Sequence, residues 1–439
     1  MLEGRDESPD LESASLEEIE EAVIEGARAL DAGSARSALR HRTFRIVFFG
    51  AFASNIGTWM QNVVLGAYAY QLTKSSTYVG LIIFAQLGPL LLLAMLGGFI
   101  ADKVDRRRFL VLLSLEQLVF SLVLALDVRS ASPSHAVLFV LVLMVGVGNA
   151  MFGPAYAAIL PSLVGRRDLP GAISLNAAQM NASRVVGPVI GGIAYHLVGP
   201  VWVFGGNAAT YLFVVVALSA VALPARPQPV RGTSRLRELT AGLTTARADP
   251  IVGRCLVTVF LFSLLALAFI GQMPVVAARN LGIGPQTAGY GVLYSCFGIG
   301  ALLGALSIGT VFSGTSKAAI VRVCLVGYAV VLAGFALLRQ ALPSYFVIAA
   351  VGAFYFAFIT ALNTTLQIQL DDAVRGRVMA LWMMGFGGTV ALGNVAAGAV
   401  VAAVGITPVL LFGAGVALGL AWYADVRSRP ARDPLEAPT

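Results

Sequence analysis

From about residue 44 to residue 427 the chain returns at regular spacing to apolar runs of roughly twenty residues or more. A bilayer's hydrocarbon core is about 30 Å thick, which about 20 helical residues cross. No water inside it can satisfy backbone N–H and C=O groups, so such runs must close their hydrogen bonds internally, as helices. The runs predict spans near 44–71, 76–101, 109–128, 135–160, 169–197 and 201–223, then 251–279, 286–312, 317–339, 343–369, 377–403 and 406–427. The expected fold class is an all-α polytopic membrane protein, with 12 transmembrane helices in two pseudo-symmetric six-helix bundles. The chain is 58% hydrophobic and 12% charged, too little polar surface for a water-soluble fold of 439 residues.

Charge divides the rest. The expected regions are an acidic, partly disordered tail (1–40), a first bundle (41–223), a basic linker (224–250), a second bundle (251–427) and a short tail (428–439). Eleven of the 23 acids fall in the first 31 residues, so the body that remains is strongly basic. Within the tail, Ser15-Leu16-Glu17-Glu18 reads as a capping box, and Leu16, Ile19, Val23, Ala27 and Leu30 share one helical face. Two readings stay open there: a short helix docking on basic loops or a cytosolic partner, and a solvated tail. Ser234 to Arg247 in the linker has the pattern of a surface amphipathic helix.

Lys and Arg set the orientation. With an even number of spans both ends face one side, which holds 25 of the bases against four on the other; the thirtieth, Arg184, lies inside the fifth span. That asymmetry predicts both termini in the cytoplasm of a cell inner (plasma) membrane. Bases gathered in loops suit anionic lipid headgroups and not nucleic acid. The acidic start has no short apolar core, so the first span is expected to act as the insertion signal. Cys255, Cys296 and Cys324 lie in or beside apolar runs and read as packing residues. His41, His135 and His196 are scattered, so no metal or other cofactor is expected. There is neither a phosphate-cradling loop nor an intramembrane Ser-His-Asp set, which argues against ATP-driven transport and against an enzyme.

Two stretches carry more specific information. Gly97-Gly98-Phe-Ile-Ala101-Asp102-Lys103-Val-Asp105-Arg106-Arg107-Arg108 pins a charged turn between the second and third apolar runs. It resembles the loop 2–3 signature of the major facilitator superfamily, with Asp105 where that pattern usually has Gly. The resemblance implies a conformational latch made of Gly98, Asp102, Arg106 and Arg107, with Asp102 capping the start of the eleventh span. In the fifth span, Gly187-Pro188-Val-Ile-Gly191-Gly192 is similar to the antiporter motif of exporters in that superfamily, although Ala178 stands where an earlier glycine is usual. Pro188 removes a helix hydrogen bond, and the glycines form a face for close packing. The run from Leu160 to Asn176, with Arg375-Gly376-Arg377-Val378, is similar to the branch that holds enterobactin exporters and macrolide efflux proteins, the transmembrane secretion effectors. What that implies is export of a small molecule in exchange for protons.

Charges inside a membrane are costly and mark function. Glu116 in the third span and Arg184 in the fifth are the proton-coupling candidates, and they are also candidates to pair with each other; Arg184 is in addition a candidate contact for an anionic or polar substrate. Amides and aromatics mark a substrate cavity: Asn55, Trp59, Gln61 and Asn62 in the first span, Asn149 in the fourth, Gln272 in the seventh, and Tyr355, Asn363 and Gln367 in the tenth. The same amides serve equally well to hydrogen-bond neighbouring helices. The expected function is a secondary exporter of amphiphilic drug-, macrolide- or siderophore-type molecules, working by alternating access. A proton-coupled nutrient uptake symporter and a non-transporting sensor or scaffold are the alternatives.

Overall fold

The computed structural model describes residues 33–221, 243–244, 246–312 and 314–424, apart from the side chains of 94–99, 101–103, 372–373 and 376. The expected tail helix and most of the linker helix lie outside the described residues. All regular structure among the described residues is helical.

Among the described residues the helix order gives twelve spans. A short helix, Ala35–Arg40, precedes the first span, Arg42–Thr73. Ser76–Lys103 and Arg106–Val128 are the second and third. His135–Val198 runs for 64 residues, roughly 96 Å, three times a bilayer's apolar depth. It contains the fourth and fifth spans, parted at Gly165, whose φ of 75° and ψ of 170° leave the helical region. Only glycine takes that backbone without strain. The sixth span is Pro200–Ser219, and the seventh is Pro250–Leu265 continued by Ala268–Arg279. The eighth to tenth are Ala288–Gly309, Lys317–Leu337 and Ala341–Ile368. The eleventh runs Asp372–Met383, through a π-helical turn at Met384–Gly388, into Thr389–Val404; the twelfth is Ile406–Tyr423.

Local chemistry fixes where the helices begin. Asp105 caps the third span, its Oδ1 accepting the Arg108 N–H at 2.8 Å. Asp249 accepts from the N–H groups of Ile251 and Val252, and Pro250 sits just inside the same helix. Three glycines in the Met384-Gly-Phe-Gly-Gly stretch accompany the wider π turn.

Packing repeats after six spans. The second span packs on the fourth as the eighth does on the tenth, and the third packs on the sixth as the ninth does on the twelfth. Third against fourth likewise returns as ninth against tenth. The most extensive contacts between the halves among the described residues are themselves equivalent under that repeat: second with eleventh, and fifth with eighth. Both crossings are made at backbone level. A Cβ on Gly80 would stand 2.4 Å from the Asn394 carbonyl, and one on Gly192 would stand 2.3 Å from the Cα of Gly291. Gly398 faces the Ser76 carbonyl in the same manner, and Gly298 faces that of Arg184. In lipid, where burying apolar surface gives helices no drive to associate, such small-residue contacts hold them together.

Large apolar side chains cover the outside, among them Leu112, Val119 and Leu126 on the third span. Trp202 and Trp422, both strongly exposed, sit at the ends of spans where an aromatic belt meets headgroups.

Replacing Gly192 with Leu is expected to force the fifth and eighth spans apart, at a cost of about 1–3 kcal/mol. Thermal unfolding of the purified protein in detergent should show a midpoint several degrees below wild type, and an unchanged midpoint would contradict the close crossing.

Candidate functional site

The two halves are tied at the face away from the termini. Arg279 Nε donates to the Tyr70 hydroxyl (3.2 Å), and Ser76 Oγ to the Gly398 carbonyl (2.9 Å). Gln272 Nε2 donates to the Ser76 carbonyl (3.2 Å), while His196 Nδ1 lies 3.2 Å from the Gln286 carbonyl. On the terminus-bearing face an open recess of about 430 Å³ is lined by Thr364, Gln367, Ile368 and Arg375. All four lining residues belong to the second half, at the ends of the tenth and eleventh spans.

Arg184 stands where the halves meet, roughly 20 Å from the far end of its helix. Its guanidinium carbon lies 5.3 Å from the ring centre of Trp59 on the first span and 5.3 Å from that of Phe356 on the tenth. One cation thus bridges two aromatic rings, one from each half, an arrangement favoured by the ring quadrupoles. Asn55 and Asn62 lie one turn to either side of Trp59, on its face of the helix, and all three are half-buried. Asn363 and Gln367 follow Phe356 along the tenth span and are hydrogen-bonded to each other. Asn149 is exposed.

Other candidates are packed away in this conformation. Gln61 is buried and accepts from Asn207 Nδ2 at 2.9 Å, an amide pair inside the first half. Gln272 is buried at the tied end. Tyr355 is buried in an aromatic cluster, its ring 4.7 Å from Phe356, 5.8 Å from Phe262 and 6.2 Å from Phe297.

Glu116 and Arg184 do not pair. Both carboxylate oxygens of Glu116 are buried with no hydrogen-bond partner among the described residues. They occupy room left by Gly148 of the fourth span, where a Cβ would stand 1.9 Å from Oε2. The glycines of the fifth-span motif serve two neighbours: Gly187 and Gly191 admit the first span at Ile56, Trp59 and Met60, and Gly192 admits the eighth. Pro188 is buried between them, its carbonyl facing Gly291.

A family model described as "transmembrane secretion effector" matches residues 33–433. The chain belongs to the transmembrane secretion effector family. Curated relatives include the enterobactin exporter EntS of Shigella boydii serotype 18, 28% identical over 356 residues, or 78% of this chain and 81% of the relative. EntS of Escherichia coli O1:K1 is 27% identical over the same shares. Among solved structures, a mutant of the nucleoside transporter NupG superposes with a TM-score of 0.69 at 15% identity, covering 87% of this chain and 99% of that one. A bacterial homologue of the human lysosomal transporter Spinster gives 0.70 at 14% identity, covering 89% and 98%. The fold is that of the major facilitator superfamily, and this secretion effector is a transporter and not an enzyme.

Of the latch residues, Arg106 Nη1 donates to the Ala158 carbonyl (2.9 Å) and Arg107 Nη2 to that of Ser219 (2.5 Å), both within the first half. Gly98 and Asp102 lie in the last turns of the second span, their side chains outside the described residues.

A site that residue patterns did not reveal lies at the Gly165 break. Asp168 gathers three groups from the segment that leads into the first span: the Gly33 N–H (3.1 Å), the Ser37 hydroxyl (2.8 Å) and His41 Nε2 (2.7 Å). Thr43 Oγ1 adds a bond to the Leu163 carbonyl at 3.0 Å. Gly171 lets the Ser34 carbonyl approach, since a Cβ there would stand 2.1 Å from it. The His41 contact first, then the Gly33 N–H and the Ser37 hydroxyl, hold the Asp168 carboxyl down at about 2. A carboxylate lowered from its ordinary value of about 4 stabilises the fold above that pH and loses the effect as pH falls toward 2. At pH 7, Asp168→Ala is expected to speed amide hydrogen exchange in residues 33–41 at least tenfold, whereas Asp168→Asn, which keeps an acceptor, should give a smaller change. Equal exchange in wild type and Asp168→Ala would remove the clasp.

Proposed function

We propose that this secretion effector exports amphiphilic small molecules, of drug, macrolide or siderophore type, from the cytoplasm in exchange for protons. The observation that carries the reading is the family match along nearly the whole chain, together with relatives named as exporters. These relatives also weigh against nutrient uptake. With both termini cytoplasmic, as the split of 25 to four bases supports, the open recess faces the cytoplasm and the tied end faces outward. Rocking of the two halves about the second–eleventh and fifth–eighth crossings then exposes a shared hollow to each side in turn. The half-buried Asn55, Trp59, Asn62 and Asn363 and the exposed Asn149 and Gln367 supply polar points over apolar walls, which suits a large amphiphile.

Glu116 is the residue we assign to proton coupling. An ionised carboxylate with both oxygens buried and unbonded is far costlier than a neutral one, so the place Gly148 makes for it fits the protonated acid. The latch falls to Asp102 with Arg106 and Arg107, holding the cytoplasmic ends of the second and eleventh spans in one state.

Inverted vesicles from a pump-deleted host provide the test. With an inside-acid gradient they should accumulate at least one substrate from a panel of macrolides, siderophores and lipophilic drugs. Glu116→Gln should insert normally and lose the response to the gradient, which corresponds to at least a tenfold drop in driven flux. Asp102→Asn should lower flux severalfold at normal expression. Accumulation in right-side-out vesicles instead would reverse the direction, and a gradient response kept by Glu116→Gln would remove its role.

A further inference from the structure

Arg184 has more hydrogen-bonding capacity than the protein uses. A guanidinium carries five N–H donors. Among the described residues its one side-chain hydrogen bond is from Nη1 to Asn181 Oδ1, at the long distance of 3.4 Å. Nε is buried without a partner, and no ion pair reaches the group among the described residues. A cation at this depth in a membrane ordinarily pairs with a carboxylate or lines a water-filled cavity. Here Trp59 and Phe356 hold it between their rings, and ring contact leaves the in-plane fork of N–H groups unmet.

The position is also built and not incidental. Gly298 of the eighth span packs against the Arg184 carbonyl and Val185, so the backbone that carries the side chain is fixed at the crossing of the halves. Tyr355 and Phe297 pack on Phe356, their ring centres 4.7 and 6.4 Å from its own, and extend an aromatic wall beside the cation. Half-buried Asn55, Asn62 and Asn181 add hydrogen-bonding groups nearby.

We infer that Arg184, Trp59 and Phe356 form a recognition point for an aromatic ring bearing an anionic group, with the anion on the guanidinium fork and the ring against the aromatic wall. A planar carboxylate matches the fork through two parallel hydrogen bonds and relieves the unpaired charge. Because rings from both halves touch the cation, a ligand seated there contacts both halves at once. The inference rests on the transport reading and narrows its cargo class to aryl anions.

Equilibrium binding to the purified full chain in lipid nanodiscs separates the two readings, since it requires no flux. The probes are radiolabelled salicylate, its neutral counterpart salicylamide, and inorganic phosphate. Wild type is expected to bind salicylate saturably, and salicylamide and phosphate at least tenfold more weakly. Arg184→Gln should weaken salicylate at least tenfold, while Arg184→Lys, which keeps charge and loses the fork, should fall between. Salicylamide bound as tightly as salicylate by wild type would overturn the inference without any variant. So would unchanged salicylate affinity in Arg184→Gln shown by thermal unfolding to be folded. Export lost with salicylate binding intact would count against the transport reading alone, and driven export without salicylate binding against this inference alone.

Discussion

Close backbone approach at the two crossings is the constraint on which the rest depends. Helices in lipid gain nothing from hiding apolar side chains from one another, so they associate where surfaces fit. Gly80 on Asn394, Gly398 on Ser76, Gly192 on Gly291 and Gly298 on Arg184 let main chains from opposite halves meet with nothing between them. These contacts bring Trp59 and Phe356, which stand 297 positions apart in the chain, to either side of one guanidinium. They also decide what a substitution there does, because bulk at a backbone contact cannot be absorbed by turning a side chain.

The number, order and approximate limits of the spans were legible because the signal is thermodynamic: a run long enough to cross lipid has few other options. Interior breaks were not. The seventh span is interrupted at Ala266–Leu267 and the eleventh widens at Met384–Gly388, yet apolar residues continue through both. The stretch from Leu160 to Pro170, with two prolines and three charges, reads as a loop, whereas helix persists on both sides of the single residue Gly165. Proline at a helix start or opposite an unused carbonyl is tolerated, so its presence alone does not mark the end of a helix.

Site residues divided along the same line. Rarity marked Arg184 and Glu116, since charges within spans stand out. Phe356 gave no sign, being one aromatic in an apolar run, and only the fold places it on the cation. Gln61 and Gln272 carry the same side-chain carboxamide as Asn55 and Asn62 but face other helices, a distinction that depends on rotation about the helix axis. His41 and Asp168, 127 positions apart, carry no local pattern that would join them.

The Gly165 break has a mechanical consequence. With one residue between them, the fourth and fifth spans behave as the arms of a bell crank pivoting at a single joint. Gly192, far along one arm, is seated on the opposite half, while Asp168, beside the pivot, is tethered to the stretch that enters the membrane from the amino terminus. A turn of one arm against the other would therefore be felt at residues 33–41, which Asp168 holds beside the joint.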